Sequence, residues 1–376
     1  MERSFKETVL KLLVFVSTLE SGGVAAVVLA QAKACARLCE DFHVDFACCI
    51  PPSEERTRDL AGLGATVYHL TPFSSNPFEY CKDAERAIRE SGCDAVHVHL
   101  GHLSWVVCRV AKACGVKRRV MHSHSELPRS MSLPFKVAMG LAPALNRRYA
   151  TAMFACSEPA GVAYFGKGFE FLPNIVDFSV NSSDATITRE QYDSEFAFDS
   201  SRGLRVGFLG ALDVNKRPEF ALALSKRLSR DGVEHCLIMA GDGPRRVEME
   251  AMAEGDPHVH VLGQRGDSRS LLRYFDFLVM PSIVEGMSLS ALEAQLSGTM
   301  CLASDSIPGT NDLGLGLFRQ LPCDDPGRWA DAIEEIGAGY KVPTEAEMMR
   351  RLVAIGYDSA TVAMRLLESY GGCQIR

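Results

Sequence analysis

The feature that most constrains this chain is an alternation. Short apolar runs, almost free of polar interruptions, alternate with longer segments of helical period, and the series occurs twice. In the first half the apolar runs are "LKLLVFVSTL", "HVDFACCI", "ATVYHL", "AVHVHL" and "RRVMHSH", with segments such as "VAAVVLAQAKACARLCE" between them. In the second, "LRVGFLGAL", "HCLIMAGDG", "VHVLGQ", "DFLVMPS" and "TMCLASDS" alternate with stretches such as "RPEFALALSKRLSR". A strand that is apolar throughout must be covered on both faces, and helical crossovers supply that cover. The expected class is α/β, with two doubly wound parallel sheets. Between the series, "FSVNSSDATITREQYDSEFAFDSSRG" is polar, shows no sustained apolar period and reads as a linker or entry segment. The expected domains are residues 1–180 and 181–355. Residues 356–376 are expected to form a helix that packs back on the first domain.

Composition narrows the function classes. The chain has 376 residues, of which 47% are hydrophobic, enough for two cores. Net charge is -7, which argues against nucleic acid as a partner, because phosphate binding wants a basic field. The 13 cysteines are odd in number and contain no C-x-x-C pair, so they are expected to be buried apolar side chains in a reducing compartment. "LLVFVSTL" follows Arg3, Lys6 and Lys11, yet Glu7 and Glu20 flank it, which favours a buried first strand over a secretion signal. No stretch reaches the ~18 apolar residues of a membrane span. The expected location is the cytoplasm.

Open α/β sheets bind ligands beyond the carboxyl ends of their strands, so the strand-end loops carry the candidates. "GFLGALDVNKRPE" brings Lys216 and Arg217 to a helix start, a ready anion site. In "MAGDGPRR", Gly241 and Gly243 permit tight turns and close ligand approach, and Pro244 suits the first position of the next helix. In "GQRGDSRSLL", Asp267 or Ser268 is expected to cap a helix. "PSIVEGMSLSALEAQLSG" carries Glu285 in the loop before a helix and Glu293 near the helix start, with Leu289, Leu292 and Leu296 on one face. Both carboxylates also have plain structural readings: Ser290 and Glu293 have capping-box spacing, and Glu285 could favour the helix dipole.

Taken in order, strand–loop–Lys216, GDGP and P-S-x-x-E-G leading seven residues on to Glu293 resemble the donor-binding half of a GT-B glycosyltransferase. The resemblance is to the retaining family numbered four, which includes bacterial capsular and exopolysaccharide transferases, and it covers nearly the whole chain. "LESGGVAAVVLAQA" resembles the family's first strand-to-helix loop, with Gly22 and Gly23 near the substrates. "RRVMHSHSE" resembles its strand ending in histidine, His122 or His124. "FACSE" resembles the end of the first domain, and "FLPNIVDF" the interdomain marker.

The resemblance implies two Rossmann-like domains facing across a cleft, and a metal-independent transfer of sugar from a nucleotide-diphosphate donor, expected to be a UDP-sugar, to a glycan or lipid-linked acceptor. Glu285 would bind hydroxyls of the transferred sugar, and Glu293 the ribose. Lys216 would neutralise the diphosphate. Gly286, Ser288 and Leu289 would border the sugar or phosphate, the last two through backbone amides. His122 would be the histidine lining the donor. No Asp-x-Asp motif ends a strand, so no metal or cofactor is expected. The family's usual Arg five residues before the Lys is here Ala211; Arg217 could substitute. "PRSMSLPFKVAMGLAPALNRRYA" mixes Arg129, Lys136, Arg147 and Arg148 with apolar residues, a pattern suited to contact with the inner membrane surface or to a core-facing helix with a basic outer face. A sugar-nucleotide epimerase of the same architecture, or a non-catalytic sugar-nucleotide binder, are the alternatives.

Overall fold

The computed structural model describes residues 9–20, 22–124, 133–176 and 187–372. Arg129, Asp177, Phe178 and the first part of the polar linker lie outside these residues. The chain divides into two compact units, Met1–Asp177 with Gly356–Arg376, and Phe178–Ile355.

The first unit opens with β1 (Leu10–Thr18), α1 (Gly23–Leu38), β2 (Phe42–Ile50), α2 (Glu54–Ala61), β3 (Val67–His69), α3 (Pro77–Ser91) and β4 (Ala95–Val98). It continues through α4 (Ser104–Ala113), β5 (Arg118–Ser123), α5 (Leu133–Tyr149), β6 (Ala152–Ala155), α6 (Glu158–Phe165) and β7 (Glu170–Phe171). The seven strands form one sheet in the order β3-β2-β1-β4-β5-β6-β7, and every pairing is parallel. The two-residue period of a strand splits β1 between two cores. Leu12, Val14 and Val16 meet Val28 and Leu29 of α1, while Leu13 and Phe15 meet Tyr80 of α3, Val107 of α4 and Met139 of α5.

The second unit holds α7 (Arg189–Glu195), β8 (Leu204–Leu209), α8 (Pro218–Arg230), β9 (His235–Ala240), α9 (Arg246–Ala253), β10 (Val259–Gly263) and α10 (Ser268–Tyr274). It ends with β11 (Phe277–Met280), α11 (Leu289–Leu296), β12 (Met300–Ser304), β13 (Phe318–Leu321), α12 (Pro326–Ile336) and α13 (Glu345–Ile355). Its sheet runs β10-β9-β8-β11-β12-β13, again all parallel. The chain then returns to the first unit as α14 (Ser359–Tyr370). Val362, Leu366 and Leu367 of α14 are sealed in the same core as α1 and the even-numbered positions of β1.

Two expectations change. The polar stretch is not all linker: α7 is a helix whose Thr188 and Gln191 make a reciprocal capping box. It buries Tyr192 and Phe196 against Tyr274 and Phe275, and the Tyr192 hydroxyl donates to Asp267 at 2.9 Å. Cys39 is disulfide-bonded, whereas Cys35, Cys48, Cys108 and the other described cysteines are free thiols. The helices α13 and α14 lie in different units. Among the described residues no helix is long and apolar enough to cross a membrane.

Candidate functional site

In each sheet the strand order reverses once, between β1 and β4 in the first unit and between β8 and β11 in the second. At such a switch point the loops leaving the two strands diverge and open a crevice. The second unit's crevice is lined by the loop after β8, which carries Lys216, and the loop after β11, which carries Glu285. The structure joins them: Lys216 Nζ lies 2.5 Å from Glu285 Oε1, with the two side chains 20% and 13% exposed. Asn215 stitches the loops together. Its Nδ2 donates to the Val284 carbonyl at 2.9 Å, its Oδ1 accepts from the Val284 amide at 3.1 Å, and its carbonyl accepts from the Ile283 amide at 2.8 Å. Asp213 steadies the turn by accepting from the Lys216 amide at 2.9 Å.

The remaining donor-side residues behave less uniformly. Arg217 does not replace the missing cation at Ala211. It occupies a left-handed conformation at the cap of α8; its guanidinium donates to the Cys323 carbonyl at 3.0 Å and lies over the Phe220 ring. Backbone packing alone requires Gly241 and Gly243. A Cβ on Gly241 would stand 1.8 Å from the Gly210 carbonyl oxygen, and one on Gly243 would stand 2.5 Å from that of Leu212. Their amides are also committed, to Gly263 and Asp242. Pro244 precedes α9 by two residues instead of opening it.

Asn311, which local spacing did not single out, organises the loop before α11. Its Oδ1 accepts from the Ser288 amide at 2.7 Å and its Nδ2 donates to the Gly286 carbonyl at 3.0 Å. The Ser288 amide is therefore taken, which corrects its assignment as a donor to the sugar or phosphate. Leu289 begins α11, and Ser288, not Ser290, is its cap residue, so no capping box forms with Glu293. Asp267 does cap α10, without a side-chain cap bond. Glu293 sits in the second turn of α11, its Oε1 3.8 Å from Arg269 Nε. Burial lifts its carboxyl above the usual range, and the Arg269 charge opposes the lift.

In the first unit, Gly22 and Gly23 sit exposed at the start of α1, beside the switch point. Gly22 has φ +98, a conformation that favours glycine, and nothing lies within 4 Å of a Cβ at either position. No acidic side chain fills the first turn of α1. His122 is 1% exposed, with the Leu172 backbone within reach of its ring. The accessible histidine is His124, two residues on and half-buried. Its Nε2 lies 2.7 Å from His99 Nδ1 and its Nδ1 3.2 Å from Asn174 Oδ1. His97 is buried beside them, with Nδ1 2.7 Å from the Tyr370 hydroxyl. Burial, reinforced by the neighbouring rings, holds His97, His99 and His122 well below the usual imidazole range. Burial lowers His124 to about 4. All four rings are neutral near pH 7.

Comparisons with known proteins place the chain in a family. Residues 203–338 match the family described as Glycosyl transferases group 1, and residues 22–170 match the Glycosyl transferase 4-like domain. EpsF of Bacillus subtilis (strain 168), named as a glycosyltransferase, is 30% identical over 333 residues, covering 83% of this chain and 84% of that one. The UDP-Gal:alpha-D-GlcNAc-diphosphoundecaprenol alpha-1,3-galactosyltransferase of Escherichia coli is 30% identical over 111 residues, 28% of each chain. Anabaena Alr3699/HepE, solved in complex with UDP and glucose, has a TM-score of 0.74 at 17% identity, covering 96% of this chain and 99% of that one. That last likeness establishes the shared two-domain fold.

Proposed function

The protein belongs to the group 1 glycosyltransferases, and from that premise we propose that it moves a sugar from a UDP-sugar to a glycan or lipid-linked acceptor in polysaccharide biosynthesis, retaining the anomeric configuration. The observation that carries the reading is the Lys216–Glu285 pair, held by Asn215 at the switch point of the second unit. Lys216 stands ready to meet the charge that develops on the departing diphosphate, and a fixed cation needs no reorganisation when the bond breaks. Glu285 keeps a second oxygen for the hydroxyls of the transferred sugar. Glu293 accepts from the ribose. In the first unit, His124 is less covered than His122, and Gly22–Gly23 leave the α1 amides open to anionic or hydroxyl groups. The transfer runs without a metal cofactor, Lys216 supplying the positive charge. On α5, Val137 and Leu141 are exposed beside Lys136 and Arg148, a surface suited to an anionic membrane that carries the acceptor.

One observation favours a second reading. With Ala211 in place of an arginine and Arg217 engaged elsewhere, Lys216 is left without a companion cation in this loop, which would suit a binder that does not turn over.

The test is a panel of UDP- and GDP-sugars with lipid-linked acceptors, with and without anionic vesicles, the product anomer read by NMR. Transfer with retention supports the proposal. Binding of the donor without transfer on any acceptor supports the second reading, and conversion of a donor to its epimer would replace both. Lys216→Ala should lower kcat by about 100-fold or more, the scale of losing one charge-stabilising donor, with a smaller change in KM. An unchanged kcat would remove Lys216 from the mechanism.

A further inference from the structure

Two His-x-His pairs lie on neighbouring strands, His97 and His99 at the end of β4, His122 and His124 at the end of β5. The parallel register aligns Val98 with Met121, and alternation then turns all four rings to the face of the sheet covered by α1 and α14. Three of them crowd together. The ring centroids of His97 and His99 are 4.1 Å apart, and those of His99 and His122 are 5.5 Å apart. One nitrogen from each of His97, His99 and His122 falls within 4.8 Å of the others.

The hydrogen bonding of these rings is lopsided. His97 and His99 each use Nδ1, toward Tyr370 and His124. Their Nε2 atoms are buried without partners, and His122, buried beside them, has only the Leu172 backbone within reach of its ring. Buried polar atoms are normally satisfied; single unpartnered atoms occur elsewhere in this chain, as at His260 Nε2 and Tyr80, but here the ring nitrogens of three adjacent histidines are involved. His235 is equally buried, yet its Nε2 meets Ser225 Oγ at 2.8 Å and its Nδ1 meets the Val233 carbonyl at 2.9 Å. A cavity of about 10 Å³, at the lower limit for admitting one water, borders His97, His99, Tyr370 and Gln31. The Gln31 amide has no partner on either atom.

We propose that His97, His99 and His122 bind one late first-row divalent cation, of which Zn²⁺ is the representative, as a structural site beneath the strand ends of the first unit. Neutral imidazoles suit Zn²⁺, Co²⁺, Ni²⁺ and Cu²⁺ over Mg²⁺ or Ca²⁺, which prefer oxygen. The partnered Nδ1 atoms are the outer contacts of such a site: an imidazole that ligates through Nε2 carries its proton on Nδ1 and donates it outward. His97 then donates to the Tyr370 hydroxyl, and His99 to His124 Nε2. That fixes the tautomer of His124 with its proton on Nδ1, facing Asn174 Oδ1. The fourth position falls to a water in the cavity, which gives Gln31 its partner. Zinc–nitrogen bonds of about 2.0–2.1 Å place tetrahedral ligands about 3.4 Å apart, so the rings draw together on loading. The ion takes no part in sugar transfer. It ties β4 and β5 to the C-terminal helix through Tyr370.

The experiment uses the full chain without a polyhistidine tag, isolated from cells grown with Zn²⁺ or with Co²⁺ so that the buried site fills as the chain folds. The expected result is one equivalent of metal per chain by elemental analysis, and a visible Co²⁺ absorption band of a nitrogen-rich, low-symmetry site. His122→Gln should weaken Zn²⁺ binding by about 100-fold or more. Tyr370→Phe, which touches only the outer shell, should weaken it by about 10-fold. His258→Gln, in the other unit, should leave stoichiometry and affinity unchanged. If the histidine variants do not fold, imidazole ¹⁵N shifts of the parent chain decide alone: metal-dependent shifts at His97, His99 and His122 support the site. Less than about 0.1 equivalent of metal in the parent, or metal that leaves these three rings unshifted, overturns it and assigns the cavity to water.

Discussion

Glu293 shows how a single residue separates stability from function. Burial raises its carboxyl above the ordinary value of 4.5, despite Arg269. The folded chain therefore binds more protons than the unfolded chain between pH 4.5 and the raised value. Stability falls as pH rises through that window, and the penalty persists at higher pH. Glu293→Gln removes the buried charge and keeps the shape. The variant should melt at or above the parent's temperature at pH 7, and the gap should close as pH drops below about 4.5. If Glu293 holds the ribose, the same variant binds UDP about 10-fold or more weakly, the scale of a hydrogen bond to a charged group. Calorimetric melts across pH and titration with UDP check the two halves, and equal UDP affinity in parent and variant would reduce Glu293 to a buried acid. Other residues of the site were beyond sequence reading. Nothing near Arg217 tells that its guanidinium turns to Cys323, 106 positions away, and the same holds for Asn311 and the Ser288 amide.

At the level of elements, the loops after β8 and β11 act together because Asn215 makes them one. Asn215→Ala removes two hydrogen bonds to the Val284 backbone. It should destabilise the second unit by about 1–3 kcal/mol and lower kcat more than KM, since Lys216 and Glu285 lose their shared frame without losing their charges. Asn215→Asp keeps the acceptor and loses the donor, so it should fall between the two. An alanine variant with parental kcat and melting temperature would show that the loops hold their places unaided. The strands and most helices were legible because apolar runs and helical periods are local signals. The helix α7 was missed because seven residues give too short a period, although Thr188 and Gln191 at capping-box spacing marked its start. The histidine cluster was half-read: His122 and His124 drew attention as a strand end, while their alternation with His97 and His99 appears only once β4 and β5 are side by side. That His122 is more covered than His124 could not be read from the sequence, which does not say which of two residues on one strand face is packed over.

For the whole molecule, the decisive fact is that the first unit is built from two separate stretches of chain and the second from one. The C-terminal helix gives Val362, Ala363, Leu366, Leu367 and Tyr370 to the first unit's core, each no more than 2% exposed. At about 1.5–3 kcal/mol for each large side chain, its contribution is comparable to the entire stability of an ordinary domain, about 5–15 kcal/mol. Residues 1–177 expressed alone should therefore collapse into a poorly packed or aggregating state, and adding residues 356–376 should restore a cooperative transition. The second unit has no such debt. Residues 178–355 alone should unfold in one cooperative step, and UDP at about 100 times its Kd should stabilise them by about 2.7 kcal/mol, because Lys216, Glu285 and Glu293 all lie on this stretch. Transfer should be absent from this fragment, since His124 and the Gly22–Gly23 loop are on the other unit. Thermal melts of the three fragments with and without UDP decide the matter. A first unit that folds cooperatively without its tail would show that α14 adds surface rather than core. A second unit that melts cooperatively and ignores UDP would place the nucleotide site elsewhere.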